Sequence, residues 1–271
     1  SATEAAGEAG LNVLTFAGQP LRSPIRYEHQ ANSVYDLINP HRLAGIVLHT
    51  SGLGLYVGVE GVRSFCARLS GIPLVSVQML LPGIPSILID NYRGMREVVD
   101  HLIEVHGYQR LAFLRGPLTH RGARERYRAY LESLEAHAIA LDPRLVMPPG
   151  EGWENREGIG RFLSGFGRQL PRCVEAIVGT SASLAQQALE WLTQHGFHVP
   201  EDVALTGFDD FPHLASITPP LTTTHAPFDE VGRRAIATLL AQMRGEPVAL
   251  VQEVLTRIVV RQSCSCPSEA V

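Results

Sequence analysis

Residues 199–248, which read VPEDVALTGFDDFPHLASITPPLTTTHAPFDEVGRRAIATLLAQMRGEPV, decide the fold. The run DVALTGF (202–208) is short and mostly apolar and ends at two aspartates, which is typical of a parallel strand buried on both faces. The later half has apolar residues at helical spacing and ends at Gly245, where a left-handed cap is needed. A buried strand followed by an amphipathic helix is the repeating unit of a parallel α/β sheet.

The same alternation extends over the rest of the chain. The predicted strands are LNVLTF (11–16), GIVLH (45–49), PLVSVQ (73–78), SILID (86–90), RLAFLRG (110–116), EAIVGT (175–180), DVALTGF (202–208) and VLTRIVV (254–260). Predicted helices between them end at Gly107 and Gly196, and another covers residues 121–137. One doubly wound sheet needs fewer strands, so we expect an α/β protein with two Rossmann-like lobes, each with a parallel sheet, around a hinge cleft.

The predicted lobe boundaries follow from this pattern. Residues 1–115 and 222–246 are assigned to the N-terminal lobe, and residues 116–221 and 247–271 to the C-terminal lobe. Ligands of open parallel sheets bind beyond the carboxyl ends of the strands. The cleft between the lobes is therefore the predicted ligand site.

Composition limits the function classes. Hydrophobic residues make up 45% of the chain and charged residues 18%, which indicates a folded protein, and the net charge of −4 leaves no basic surplus for direct contact with nucleic acid. There is no apolar run of about 18 residues and no secretory signal at the start, so we expect no membrane contact and a cytoplasmic location.

The cysteines and histidines do not match a known metal-site spacing. Four cysteines are too few and too scattered for a disulfide scaffold, which favours a reducing compartment. The pair Cys264 and Cys266 lacks a second ligand pair at zinc-site spacing. His101 and His106 are five residues apart and do not share a helix face, so we interpret them as core or surface histidines. The prediction is that the chain holds no metal and no cofactor.

Polar residues follow several predicted strands, where they would converge on the cleft. His49 is the last residue of the second predicted strand and Asp90 that of the fourth, while Ser181 follows the sixth, and Asp209 with Asp210 follows the seventh. Asp90 and Ser181 are also suited to cap the helices that follow them, because their side-chain oxygens accept backbone N–H bonds. Two adjacent carboxylates are more than one cap requires, which makes Asp209 a candidate ligand-binding residue.

Arg126 and Trp153 are two further candidates. The Arg126 guanidinium lies beside the buried stripe of its helix and has the geometry to bind a hydroxyl pair or a carboxylate, although a solvated arginine face is the alternative. Trp153 lies in the Gly-rich loop PPGEGWENREG, where its ring has the shape to stack on a sugar or base, or to anchor a core edge. Nucleophile elbow, phosphate-loop and zinc-helix motifs are missing from the sequence, so we predict a binding protein and no enzyme.

Several stretches resemble the LacI/GalR family of transcriptional regulators and its periplasmic-binding-protein-like sensor domain. Residues 199–248 follow the family pattern "GFDD … P-LTT … G--A---L". Residues 89–117, IDNYRGMREVVDHLIEVHGYQRLAFLRGP, resemble its "DN--G---A--HL---GH-RIA-I-GP", and RERYRAYLESL resembles its "R--G----L" helix. The resemblance covers about residues 43–263. It implies an effector-binding sensor that responds by lobe closure and acts as a homodimer.

The resemblance assigns roles to individual residues. Asp90 matches the aspartate of the family's "DN" pair, Arg126 its ligand-clamping arginine, Trp153 its aromatic loop position, and Asp209 the first aspartate of "GFDD". The sequence departs from the family at GTSASLA, where Ser181 and Ala182 replace Asn and Asp, which implies a changed ligand. LNVLTF looks like the family's second strand, so the first strand of lobe one is expected to be missing.

The sequence also leaves alternative functions open. The stretches GLGLYVGVEGVRSFCARL and VVRQSCSCP look most like the family branch in which the sensor is joined to a diguanylate cyclase or histidine kinase. An extracytoplasmic solute-binding protein would share the fold. A glycosidase with Asp90 and Asp209 as paired carboxylates is the enzymatic alternative. The leading hypothesis is a sensor for a small polar metabolite such as a sugar or nucleoside, with its output domain outside this chain.

Overall fold

The computed structural model describes residues 2–266, which form two compact units. Unit 1 contains the described residues of 1–90, together with residues 119–121 and 227–254. Unit 2 contains residues 91–118 and 122–226 and the described part of 255–271. Each unit is therefore assembled from separate segments of the chain.

Unit 1 has a four-stranded parallel sheet with the order β1-β2-β3-β9. Its strands are β1 (Ile46–His49), β2 (Leu74–Val77), β3 (Ser86–Ile89) and β9 (Val251–Val254), and its helices are α1 (Ala2–Glu8), α2 (Arg26–Ala31), α3 (Thr50–Leu53), α4 (Gly58–Ala67) and α10 (Phe228–Met243). The buried residues Val62 and Phe65 of α4 pack with Leu48 of β1. All four residues of β3 are buried, as the apolar run SILID predicts.

The prediction of a strand over residues 11–16 is wrong. This segment has no regular structure, and the Leu14 side chain is 69% exposed. A strand needs a neighbour that accepts and donates its backbone hydrogen bonds. Among the described residues β1 is the edge of the sheet, and LNVLTF does not pair with it. The preceding helix α1 instead packs on α10, with Ala6 buried.

Unit 2 has a four-stranded parallel sheet with the order β5-β4-β6-β7. Its strands are β4 (Leu111–Leu114), β5 (Val146–Met147), β6 (Ala176–Gly179) and β7 (Ala204–Thr206), and its helices are α5 (Asn91–Glu104), α6 (Arg121–Ala136, of which the unit takes residues from 122), α7 (Arg156–Ser164), α8 (Leu170–Cys173) and α9 (Ala182–Gln194). The strands β4, β6 and β7 are buried throughout, so apolar residues cover both faces of the sheet.

The predicted strand 254–260 divides into two elements. Val254 ends β9, which pairs in parallel with β3, whereas β10 (Arg257–Val259) pairs antiparallel with β8 (Thr223–His225) in unit 2. Gly94 of α5 lies where a Cβ atom would come within 2.4 Å of Thr256 Oγ1. The close approach of α5 to this segment therefore depends on glycine.

Six predicted strands are present, and the predicted α/β fold with parallel sheets in two units is confirmed. The three helix-ending glycines, Gly107, Gly196 and Gly245, have φ angles of 70°, 78° and 70°, as left-handed caps require. Internal contacts group residues 91–115 with unit 2 and residues 247–254 with unit 1, and the predicted lobe boundaries stay a prediction. None of the described helices has the length and apolar character needed to cross a membrane.

Candidate functional site

Arg126 of α6 is the centre of the candidate site in unit 2. Its side chain is 5% exposed, and each nitrogen of its guanidinium donates a hydrogen bond. Nε donates to Asn91 Oδ1 at 2.9 Å, Nη1 to the Thr180 carbonyl at 2.7 Å, and Nη2 to Asp209 Oδ1 at 3.3 Å. The guanidinium also lies 3.5 Å from the centre of the Phe208 ring, in cation–π contact.

Burial and the neighbouring carboxylate have opposite effects on the charged form of Arg126. Burial lowers the pKa of the Arg126 guanidinium from its ordinary value, and the nearby Asp209 carboxylate opposes that shift. Arginine nevertheless remains protonated in proteins, so the pair carries one positive and one negative charge. A guanidinium has five N–H donors, and the three contacts to Asn91, Thr180 and Asp209 engage one on each nitrogen. Each Nη therefore has a second N–H donor beyond these contacts.

The two adjacent aspartates have different partners. Asp209 has a φ angle of 93° and pairs with Arg126, whereas Asp210 has a φ angle of 47° and turns toward Arg261. Asp210 Oδ1 lies 2.7 Å from Arg261 Nη2, and Asp210 Oδ2 lies 3.1 Å from His225 Nδ1. Two successive non-glycine residues at positive φ store strain, which concentrates at functional sites. Asp210 thus fixes the turn that presents Asp209.

Ser181 acts as the N-cap of α9. Its buried hydroxyl accepts a hydrogen bond from the backbone N–H of Leu184 at 3.2 Å. The preceding residue, Thr180, is also fully buried, and its hydroxyl donates to the Leu114 carbonyl. The capping interpretation therefore accounts for Ser181, while the Thr180 carbonyl is the atom of this strand end that contacts Arg126.

Trp153 is half-buried in the loop that precedes α7. A Cβ atom at Gly116 would come within 2.6 Å of Trp153 Cζ3, so the indole packs directly on that glycine. Gln187 of α9 fixes the loop: its Nε2 donates to the Trp153 carbonyl at 2.9 Å, and its Oε1 accepts from the Asn155 N–H at 2.8 Å. The indole therefore anchors this edge of the core, and a contact between its ring and a ligand stays a prediction.

His49 and Asp90 belong to unit 1. His49 ends β1, is exposed, and its Nε2 lies 3.3 Å from Ser51 Oγ. Asp90 directly follows β3, and its backbone N–H donates to the Val254 carbonyl at 3.0 Å. Arg126, Trp153, Ser181 and Asp209 all belong to unit 2, and among them the structure brings Arg126 and Asp209 into direct contact.

Sequence reasoning placed Asn91 beside Asp90 at a strand end and missed two other residues that build this site. Phe208 stacks on the Arg126 guanidinium, and Gln187 holds the Trp153 loop. Phe208 directly adjoins the predicted site residue Asp209, so this position was an available signal. Gln187 has no comparable signal, because its role depends on a loop 34 residues away along the chain.

A family model described as a periplasmic binding protein-like domain matches residues 99–264, which is more than half of the chain. The repressor CytR of Escherichia coli strain K12 is 28% identical over 222 residues, which covers 81% of this chain and 62% of CytR. The regulator CelR of Thermobifida fusca is 33% identical over 180 residues, which covers 65% of this chain and 50% of CelR.

A solved complex of the transcriptional regulator CelR with cellobiose has the same fold. It superimposes with a TM-score of 0.73 at 26% identity, over 97% of this chain and 76% of that one. The chain spans about half to three-fifths of the length of the two curated relatives. These similarities confirm the resemblance to LacI-type regulators.

Proposed function

This chain belongs to the periplasmic binding protein-like domain family as an effector-binding domain of the LacI type, and we propose that it senses a small polar metabolite for a transcriptional regulator. The observation that carries the proposal is the buried Arg126 guanidinium with three protein acceptors and an aromatic face. Such a guanidinium is fixed in place before a ligand arrives, which reduces the entropic cost of binding.

The proposed ligand carries adjacent hydroxyl groups. Planar N–H donors on Arg126 fit a vicinal hydroxyl pair or a carboxylate, and the Asp209 carboxylate accepts from a ligand hydroxyl. CelR, a relative of this chain, has been solved with cellobiose, which supports a carbohydrate ligand here. A sugar or a nucleoside ribose presents the required hydroxyl pair.

We assign supporting roles to the remaining candidates. Asp90 and His49 are proposed to supply acceptors and donors from unit 1, and Trp153 to supply an apolar ring face. Binding signals only if the ligand has a higher affinity for one lobe arrangement, so we propose that it favours lobe closure. Because the Ser181 hydroxyl already caps α9, we expect the ligand to differ from those of relatives with Asn and Asp at positions 181 and 182.

The wider setting of the sensor is part of the same proposal. The relatives named above are regulators, and we propose that this chain likewise catalyses no reaction. We further propose a cytoplasmic homodimer whose output domain lies outside these 271 residues.

The test is a thermal-shift screen with cellobiose, maltose, ribose and adenosine, followed by calorimetric titration of any compound that stabilises the protein. A ligand at about 100 times its Kd adds about 2.7 kcal/mol, which corresponds to a rise in Tm of roughly 5 to 10 °C. Arg126→Lys keeps the charge but removes the planar donor pair, and we expect it to weaken binding at least about 10-fold.

Arg128→Lys is the matched control, because Arg128 lies on the same helix with its side chain 61% exposed. We expect this variant to bind as the wild type does. Equal affinity of Arg126→Lys and wild type, with unchanged circular dichroism, would contradict the assigned site.

A further inference from the structure

Unit 2 contains a second cluster of polar side chains, formed by His101, His106, Cys264 and Cys266. One potential metal-ligand atom from each residue lies within 4.8 Å of the other three. Cys264 is fully buried and the other three side chains are partly buried. The cluster joins residues about 160 positions apart in sequence, so tertiary packing creates it.

The distances within the cluster match the edges of a tetrahedral metal site. Nε2 of His101 lies 3.7 Å from Cys264 Sγ and 3.5 Å from Cys266 Sγ, and Nε2 of His106 lies 3.3 Å from Cys266 Sγ. Zinc bonds of about 2.3 Å to sulfur and about 2.0 Å to nitrogen at tetrahedral angles place two ligand atoms about 3.4 to 3.8 Å apart. These three distances therefore match the spacing of ligands around one ion, and all four donor atoms lie within 4.8 Å of one another.

The backbone on both sides of the cluster permits this convergence. Helix α5 ends at Glu104, so His106 follows the helix and turns back toward His101 ahead of the left-handed Gly107. Their ring centroids are 5.1 Å apart. Ser265, between the two cysteines, has a φ angle of 75°, and this kink allows both Sγ atoms to face the histidines.

The interpretation of His101 and His106 as histidines unrelated to metal binding rested on helical periodicity. That periodicity does not apply to them as a pair, because His106 lies outside the helix. Likewise, Cys264 and Cys266 need no second cysteine pair, because His101 of α5 and His106, just after α5, supply the other two ligand atoms.

Neighbouring side chains support the ligand atoms. Thr222 Oγ1 lies 3.1 Å from Cys264 Sγ, and the His106 ring stacks on Tyr108 with centroids 5.2 Å apart. The Tyr108 hydroxyl lies 3.0 Å from Ser265 Oγ, which connects the segment after α5 with the segment that contains the two cysteines. Contacts of this kind orient the ligands of metal sites.

We propose that His101, His106, Cys264 and Cys266 bind one Zn²⁺ ion in a tetrahedral, structural site. Two imidazole nitrogens and two thiolates are the donor set that zinc prefers, and four protein ligands leave no open position for catalysis. On binding, each thiol releases its proton to solvent, and the two thiolates balance the charge of the ion. The site ties the segment 255–266 to the end of α5.

The test begins with the 271-residue chain, purified with reductant, stripped with a chelator and then titrated with Zn²⁺ against a chromophoric competitor. We expect one Zn²⁺ per chain. Co²⁺ in place of Zn²⁺ should give the visible absorption of a tetrahedral ion together with sulfur-to-cobalt charge transfer, which reports the two thiolates directly.

Cys266→Ser and His106→Ala are the informative variants, because both positions are partly exposed and tolerate change better than the buried Cys264. We expect each to lower zinc affinity by more than about 100-fold, which exceeds the loss usual for a supporting residue. Cys173→Ser is the matched control, since Cys173 is a partly exposed free cysteine outside the cluster, and it should bind zinc as the wild type does.

Three results would overturn the proposal. One is a zinc stoichiometry near zero in the folded, reduced chain. Another is equal zinc affinity of wild type and Cys266→Ser. The third is a proteolytic peptide containing both Cys264 and Cys266 whose mass stays lower by two hydrogens under mild reductant, which would identify these two residues as a disulfide.

Discussion

Unit 2 contains two clusters of polar side chains, and they differ in the chemical groups that the chain supplies to each. Around Arg126 the chain supplies both the cation and its acceptors, with Asp209, Asn91 and the Thr180 carbonyl within 3.3 Å. Around His101 the chain brings together four electron-pair donors, whose ligand atoms lie within 4.8 Å of one another.

The difference indicates what each cluster can bind. The Arg126 cluster already pairs its cation with the Asp209 carboxylate, so a ligand there must add hydrogen bonds without displacing the ion pair, which suits an uncharged polyhydroxyl molecule. The His and Cys cluster has four electron-pair donors within 4.8 Å of one another, which suits a metal ion.

The largest expected effect comes from removing Arg126. Arg126→Ala leaves the Asp209 carboxylate without its charge partner, and breaking a buried ion pair on one side costs about 3 to 5 kcal/mol. Urea denaturation should show this loss in the free energy of unfolding, while Arg128→Ala should change it by less than about 0.5 kcal/mol. A loss below about 1 kcal/mol for Arg126→Ala would mean that the ion pair contributes little to the folded state.

A second expected effect is a stabilisation by Zn²⁺ that depends on the His and Cys cluster and not on the Arg126 cluster. Zn²⁺ at about 100 times its Kd should raise the free energy of unfolding by about 2.7 kcal/mol, because the ion binds the folded state selectively. Differential scanning calorimetry with and without chelator measures this shift. Arg126→Lys should retain it and Cys266→Ser should lose it. A loss of the zinc effect in both variants would indicate that the clusters are not independent.

The smallest expected effect comes from Ser181 and tests whether this residue caps α9 or contacts the ligand. Ser181→Ala removes the hydroxyl that accepts the Leu184 N–H, and loss of an N-cap costs about 1 kcal/mol. Ser216→Ala, an exposed serine elsewhere in unit 2, is the control for thermal denaturation and should be close to neutral. If Ser181→Ala changes ligand affinity more than 10-fold and stability not at all, the serine contacts the ligand.

Much of the fold follows from local sequence patterns. Strands such as β3, β4 and β6 are continuous apolar runs, and Gly107, Gly196 and Gly245 mark where helices end, so period and glycine position predict them. LNVLTF has the same local pattern but no strand beside it. Its failure shows that a strand depends on its neighbours, which the sequence of the segment does not contain.

The candidate sites are less predictable for the same reason. Asp209 and Asp210 are chemically identical neighbours, yet their backbone angles turn one toward Arg126 and the other toward Arg261. The His and Cys cluster depends on the packing of β8 and β10 against α5, which brings residues 255–266 to the end of that helix. Spacing rules for metal ligands describe local loops and do not cover ligands brought together across a fold.

The discontinuity of unit 2 has a consequence for its biosynthesis. Ser263 and Cys264 are fully buried, and the Ser263 hydroxyl accepts from the Thr222 N–H and donates to the Leu205 carbonyl. Residues 255–264 must therefore be synthesised before Ser263 and Cys264 can pack into the interior of a nascent chain that already contains β4 to β8. Until then the nascent chain exposes unsatisfied backbone groups near β7, so the synthesis of residues 255–264 decides when the unit becomes resistant to proteolysis.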